Sequence, residues 1–319
     1  MRRVLAYVSL SLGMLLLFLS PFLVFYAIPR LQKAPVDHYD RITSDGIGEY
    51  FSTKPDILGL VGPVPLENTA DYRPDVSAST SDVAVYDYFA STKDLTRNAV
   101  IEASRQRYVF DRKTALPVHC CGETPEHEGL TLKFPFDVQR QTYPFWDDTA
   151  RKAFPANYVR DDSIDGLKVY LFRSDVPETV IGHVTISGEA AGQPDEDTVV
   201  TDQMYEATTL VWIDPVTGAV VRGQRTLRQW LQNPNTDTEL QVLENVQIGY
   251  TDEYIADNVR YVKDSVKQLK VLNALPIVGP IIGLILIAVG LLLLLWKSSP
   301  KAKKKQKPTP ASETQPSTA

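Results

Sequence analysis

Two runs without a single charge frame the chain, and the pattern between them changes period. Residues 4–28 and 275–296 contain no Asp, Glu, Lys or Arg. Coiled as helices they reach about 37 and about 33 Å, enough to cross a hydrocarbon core of about 30 Å, so both predict membrane spans. Between them, segments rich in β-branched and aromatic residues recur at 82–91, 99–111, 166–174, 178–188, 208–214, 218–230 and 239–250, separated by Pro, Gly, Asp and Asn. That pattern predicts the antiparallel strands of a mainly β domain. Residues 29–46, with Pro29 and Pro35 and no sustained period, predict an extended connector. From Asp252 the period turns helical. Ile255, Val259, Val262, Val266 and Leu269 share one face, with Thr251 or Asp252 as cap, so 252–274 predicts an amphipathic helix leading into the second span.

Charge beside the spans orients them. Arg2 and Arg3 precede the first, and Lys297, Lys301, Lys303, Lys304, Lys305 and Lys307 follow the second. Basic residues stay inside, which predicts a two-pass protein of the plasma membrane with residues 1–3 and 297–319 in the cytoplasm and the β-rich segment 29–251 outside. The first apolar run is too long for an ordinary signal core and lacks a small-x-small cleavage site, so it reads as an uncleaved anchor. Setting aside those eight basic residues and Glu313 leaves 25 Lys and Arg against 38 Asp and Glu. So acidic an external segment argues against nucleic acid or an anionic membrane surface as its partner. The tail, basic and then rich in Pro, Ser and Thr, predicts disorder. Within the spans, Ser9 with Gly13 and Gly279 with Gly283 set small residues four apart, the spacing at which two helices pair closely, and Pro276 and Pro280 predict a kink.

Two stretches of the β segment resemble each other. "YVFDRKTALPV" (108–118) and "VWIDPVTGAVV" (211–221) share an apolar run, then Asp, two residues, Thr and a second apolar run. Asp111 and Asp214 each predict a tight turn, with Gly218 at a left-handed position where the first copy has Ala115. Each follows an earlier strand, so the pair reads either as an internal duplication of a β unit or as two ordinary hairpins with common turn chemistry.

Both cysteines lie in "LPVHCCGETPEHE" (116–128), flanked by His119 and His127. Adjacent side chains on a strand point to opposite faces, so Cys120 and Cys121 make a poor chelating pair, and no metal ligand is assigned. Outside the cytoplasm they form a vicinal disulfide, stay as thiols, or bridge to another chain. The neighbouring stretch "HEGLTLKFPFDVQRQTYPFWDD" (127–148) gathers Phe134, Phe136, Tyr143, Phe145 and Trp146 among polar residues. Such a cluster either lines an apolar ligand cavity or is core between two β units. There is no nucleophile elbow, paired-histidine zinc helix or phosphate loop, so no catalytic residue or cofactor is assigned.

This aromatic stretch, "GLKVYLF", "WIDPVTGAVV" and the two terminal spans resemble the actinobacterial membrane proteins of the PorA porin family, whose relatives include the polar growth factor PgfA. The resemblance implies a role in the cell envelope, in polar growth, envelope lipid traffic and lipoglycan synthesis, beside a lipid-exporting transporter. The expectation is a non-enzymatic envelope protein whose external domain binds an envelope lipid or lipid-linked glycan through the five aromatic residues, or scaffolds its transport. The alternative is a channel or porin formed by oligomerisation, with an envelope-processing enzyme third. A lipid-facing barrel is not expected, because the chain has two helical anchors and a water-compatible acidic domain.

Overall fold

The structure, a computed structural model, describes residues 2–191 and 193–295. Met1, Trp296 at the close of the second predicted span, and the predicted tail 297–319 lie outside the described residues. The chain forms two units, one from its two ends and one from residues 26–273.

The larger unit is a ten-stranded sheet. Its strands are β1 (Asp40–Ser52), β2 (Gly59–Pro74), β3 (Val83–Asp94), β4 (Ala99–Asp111), β5 (Tyr143–Asp147), β6 (Lys152–Ile164), β7 (Leu167–Ser187), β8 (Thr198–Ile213), β9 (Val220–Gln232) and β10 (Glu239–Tyr250). They lie in the order β4-β3-β2-β1-β10-β9-β8-β7-β6-β5. Every neighbouring pair is antiparallel. The mainly β, antiparallel expectation therefore holds, with the predicted strands among those observed.

Three local expectations do not hold. The predicted connector 29–46 runs into β1, which sits in the middle of the sheet, paired from Ser44 with both Tyr250 and Asn68. Its glycines and charges hide its period, yet Gly46 and Gly48 are where the backbone and side chains of β10 come too close for a Cβ. The segments 166–174 and 178–188 are one strand, β7, whose register shifts on both sides of Thr179 and Val180, next to Pro177. The predicted return strand at 116–118 is only a bridge, Phe110 to Pro117, because Pro117 has no N–H with which to continue a ladder.

The two predicted turns do match in detail. Asp111 Oδ1 accepts from the backbone N–H of Lys113 and Thr114, and Asp214 Oδ2 accepts from that of Thr217. Ala115 and Gly218 occupy equivalent left-handed positions, at φ 60° and 74°. The chain then diverges: Val220 onward becomes β9, whereas after Val118, whose N–H donates to Val109 O, the chain departs from regular pairing and meets β4 again at Thr124.

That departure closes the sheet. If flat, ten strands would hold β4 and β5 about 43 Å apart. The segment joining them bridges both: Thr124 exchanges backbone bonds with Arg107 of β4, and Leu130 with Pro144 and Trp146 of β5. Six residues reach at most about 22 Å, so the sheet must curl until its two edges face one irregular strand between them. The segment thereby pairs part of each edge, at Arg107 of β4 and at Pro144 and Trp146 of β5. Leu66, Val246, Phe172, Tyr205, Val211 and Ile213 are buried on the concave face.

The helix α3 (Asp252–Leu295) runs unbroken through Pro276 and Pro280. Thr251 Oγ1 caps it by accepting from the N–H of Tyr254. Its first half lays Ile255, Val259, Val262 and Val266 on Val169, Leu171 and Trp212, the convex face of β7 and β8.

In the smaller unit, α1 (Arg2–Phe22) pairs with the second half of α3. A Cβ on Gly13 would stand 2.7 Å from the carbonyl oxygen of Gly283, and one on Gly283 would stand 2.8 Å from that of Gly13. The expected small-residue contact thus brings backbone against backbone. Ser9 Oγ donates to Leu286 O at 2.7 Å and Ser20 Oγ to Pro276 O at 2.6 Å. The second bond has a clear cause: Pro280 has no N–H to give the carbonyl four residues earlier, and Ser20 supplies the missing donor. Outward from the pair, Val4, Leu5, Leu15, Phe18, Ile277 and Leu284 are exposed. Both helices are long and apolar enough to cross a membrane.

Candidate functional site

The densest chemistry lies where the closing segment meets the sheet interior. Cys120 and Cys121 are joined as a disulfide at a turn. There Glu123 N–H donates to Cys120 O, and Cys121 and Gly122 both take positive φ. Arg107 fastens the turn to β4, its Nε donating to Cys121 O at 3.0 Å while its two Nη atoms pair with Asp75 and Asp87. Neither histidine faces the sulfurs. The buried carboxylate of Glu123 receives His119 Nδ1 at 2.8 Å and His127 Nδ1 at 2.9 Å, and His127 Nε2 meets Gln106 of β4. The His127 ring lies 4.5 Å from that of Tyr108 and 5.1 Å from that of Trp146, so this one buried side chain spans the gap between the sheet edges. The Cys and His residues act here as local structure.

The five aromatic residues do not gather around one opening. Phe134 and Tyr143 are buried against Phe172, and Phe145 packs at the edge of the same cluster. Trp146 is buried on the other face of β5, with Nε1 donating to Asp148 at 2.7 Å. Phe136 is half-buried, with the Lys133 ammonium 3.8 Å above its ring. Burial lowers the Lys133 amine to about 7. This placement favours the core reading of the stretch. Two clefts, of about 700 and about 560 Å³, lie elsewhere, and none of the five residues lines them.

A polar knot sits inside the curl, and nothing in the sequence joins its members. Asp147, at the end of β5, accepts from the N–H groups of Thr149 and Ala150, from Tyr205 Oη at 2.9 Å and from Arg225 Nη2 at 2.8 Å. Arg225 also contacts Tyr205 Oη, while its Nε is buried without a partner among the described residues. Further along β9 and β10, Gln229 donates to Glu244, whose carboxyl is pushed up to about 7 by burial first and the nearby Glu102 second. A raised carboxyl pKa favours the folded state while protonated. The stability it contributes is present below pH 4.5 and is lost as pH rises toward 7. Glu244→Gln is therefore expected to flatten stability across that window. Urea midpoints at pH 4.5 and 7.5 check this, and an unchanged pH slope would contradict it.

The outer surface of the sheet carries ion pairs. Arg41, Arg160 and Arg173 expose half or more of their side chains and pair with Asp71, Asp162 and Asp175. A lipid-facing barrel needs a continuous apolar outer band, which these ion pairs interrupt, whereas both helices are long and apolar enough to cross a membrane. The family model described as Porin PorA matches residues 5–292, through both helices and the whole sheet. The chain belongs to the PorA porin family. A protein named Porin PorA from Corynebacterium amycolatum is 21% identical over 313 aligned positions, covering 75% of this chain and 81% of the relative. Another of that name from Corynebacterium resistens is 23% identical, covering 61% and 67%. The resemblance read from the aromatic stretch and the terminal spans is thus a family relationship, and the chain is a membrane protein of that family.

Proposed function

We propose that this chain is the subunit of an oligomeric, non-enzymatic membrane channel, with the helix pair embedded in lipid and the closed sheet in water beside it. The observation that carries the reading is the family match through both helices, to relatives that bear the porin name. Geometry adds a requirement. Two helices packed backbone to backbone enclose no pore, and Ser9 and Ser20 are turned onto the partner helix. A conducting path therefore needs several copies. Tyr7 and Ser11, one turn apart and exposed on α1, are polar positions available to line such a path. The basic residues flanking the two charge-free runs support an orientation with both termini in the cytoplasm and the sheet outside the plasma membrane.

Lipid or glycan binding by the aromatic stretch is the weaker reading, since its rings pack in closed clusters. Photobleaching counts on labelled full-length chains in bilayers test the channel reading. Several copies per spot are expected, and a population of single copies would contradict it.

A further inference from the structure

The cleft of about 560 Å³ beside α3 belongs to none of the features above. Its lining includes Lys168 at the start of β7, Lys263, Lys267 and Lys270 of α3, and the apolar Val216 and Val271. The three helix lysines follow i, i+4, i+7 spacing and so share one face. Two of the four ammonium groups are engaged: Lys263 donates to Asp165 O at 2.6 Å, and Lys168 pairs with Asp161 at 3.2 Å. Among the described residues neither Lys267 nor Lys270 is in a salt bridge, although the charge of Lys270 acts on the Asp214 carboxylate. The one acid in the lining, Asp214, has Oδ2 bound within its own turn to Thr217 N and Oγ1. In a segment whose overall charge is strongly negative, this is a basic recess with an apolar wall.

We propose that this cleft is a binding site for the phosphate headgroup of an anionic phospholipid, held by Lys267 and Lys270 with its upper chain against Val216 and Val271. Charge complementarity selects the headgroup, and Lys and phosphate meet in a charge-assisted hydrogen bond. The choice of a lipid over a free anion rests on α3 itself. Lys270 precedes Leu275, the first residue of the charge-free run, by five residues, about 7.5 Å of unbroken helix. The net acidity of the segment, which argues against an anionic surface as partner, is an average that conceals this recess.

The test uses the full chain in nanodiscs of phosphatidylglycerol mixed with phosphatidylcholine, with retained lipid read by native mass spectrometry after detergent release. Wild type should retain phosphatidylglycerol selectively. Lys267→Gln with Lys270→Gln should lower that retention roughly thirty-fold, on the scale of two interfacial lysines. Lys267→Arg with Lys270→Arg should keep it, with circular dichroism unchanged in both variants. Equal retention by the Gln variant, or no preference over phosphatidylcholine in wild type, would overturn the proposal. So would inorganic phosphate displacing phosphatidylglycerol at equal concentration, which would make the cleft a free-anion site.

Discussion

Asp147→Ala should lower the stability of the sheet unit by about 3–5 kcal/mol, the cost of stripping one partner from a buried ion pair. The change removes four hydrogen bonds at once, two of which hold the turn after β5. It also leaves Arg225, whose Nε already lacks a partner among the described residues, with an uncompensated charge inside the curl. Asp147→Asn keeps the shape and loses the charge, so it should fall between, near about 2 kcal/mol. If the pair acts as a unit, adding Arg225→Met to Asp147→Asn should recover part of the loss, with a coupling above about 1 kcal/mol. Urea denaturation followed by tryptophan fluorescence reads this. Losses within about 0.5 kcal/mol would show that water already satisfies both groups.

Gly218→Ala is expected to cost about as much for a different reason. The residue lies at φ 74°, where a Cβ costs about 1–2 kcal/mol. Here the Cβ would also be driven into the carbonyl oxygens of Phe134 and Pro135. Those are backbone atoms of the closing segment, fixed by the bond from Phe134 N–H to Gly218 O, and they cannot move aside as a side chain could. The total should be about 3–5 kcal/mol. The matching site in the first turn is the control. Ala115→Gly relieves about 1 kcal/mol of left-handed strain but removes a buried methyl worth about 0.8 kcal/mol, so its net effect should lie within about 1 kcal/mol of zero. If Gly218→Ala were as mild as Ala115→Gly, the close approach at Gly218 would be wrong.

These two residues show what the sequence discloses and what it conceals. The turn chemistry was legible because it is local: Asp, two residues, Thr and then a left-handed position suffice to read both turns. The spans and the buried face of α3 were legible because their periods are long and clean. β1 was not, because its glycines and charges answer to contacts with β10, more than 190 residues away along the chain. The knot of Asp147, Tyr205 and Arg225 was equally hidden, since three unremarkable polar residues meet only after the sheet curls. Glu123 had only a faint signal, its position four residues from each of two histidines. The aromatic stretch is dense in the sequence. Its position is that of the seam that closes the sheet, which explains both its density and the burial of most of its rings.

The central claim, that the helix pair of several copies makes a conducting path, is tested most directly by current. Purified full-length chain in planar bilayers is expected to give discrete unitary steps. Gly13→Leu with Gly283→Leu, which forces the two backbones apart, should abolish the steps while leaving the near-UV circular dichroism of the sheet unchanged. A wild-type chain that inserts and assembles yet passes no current above the bare bilayer would contradict it.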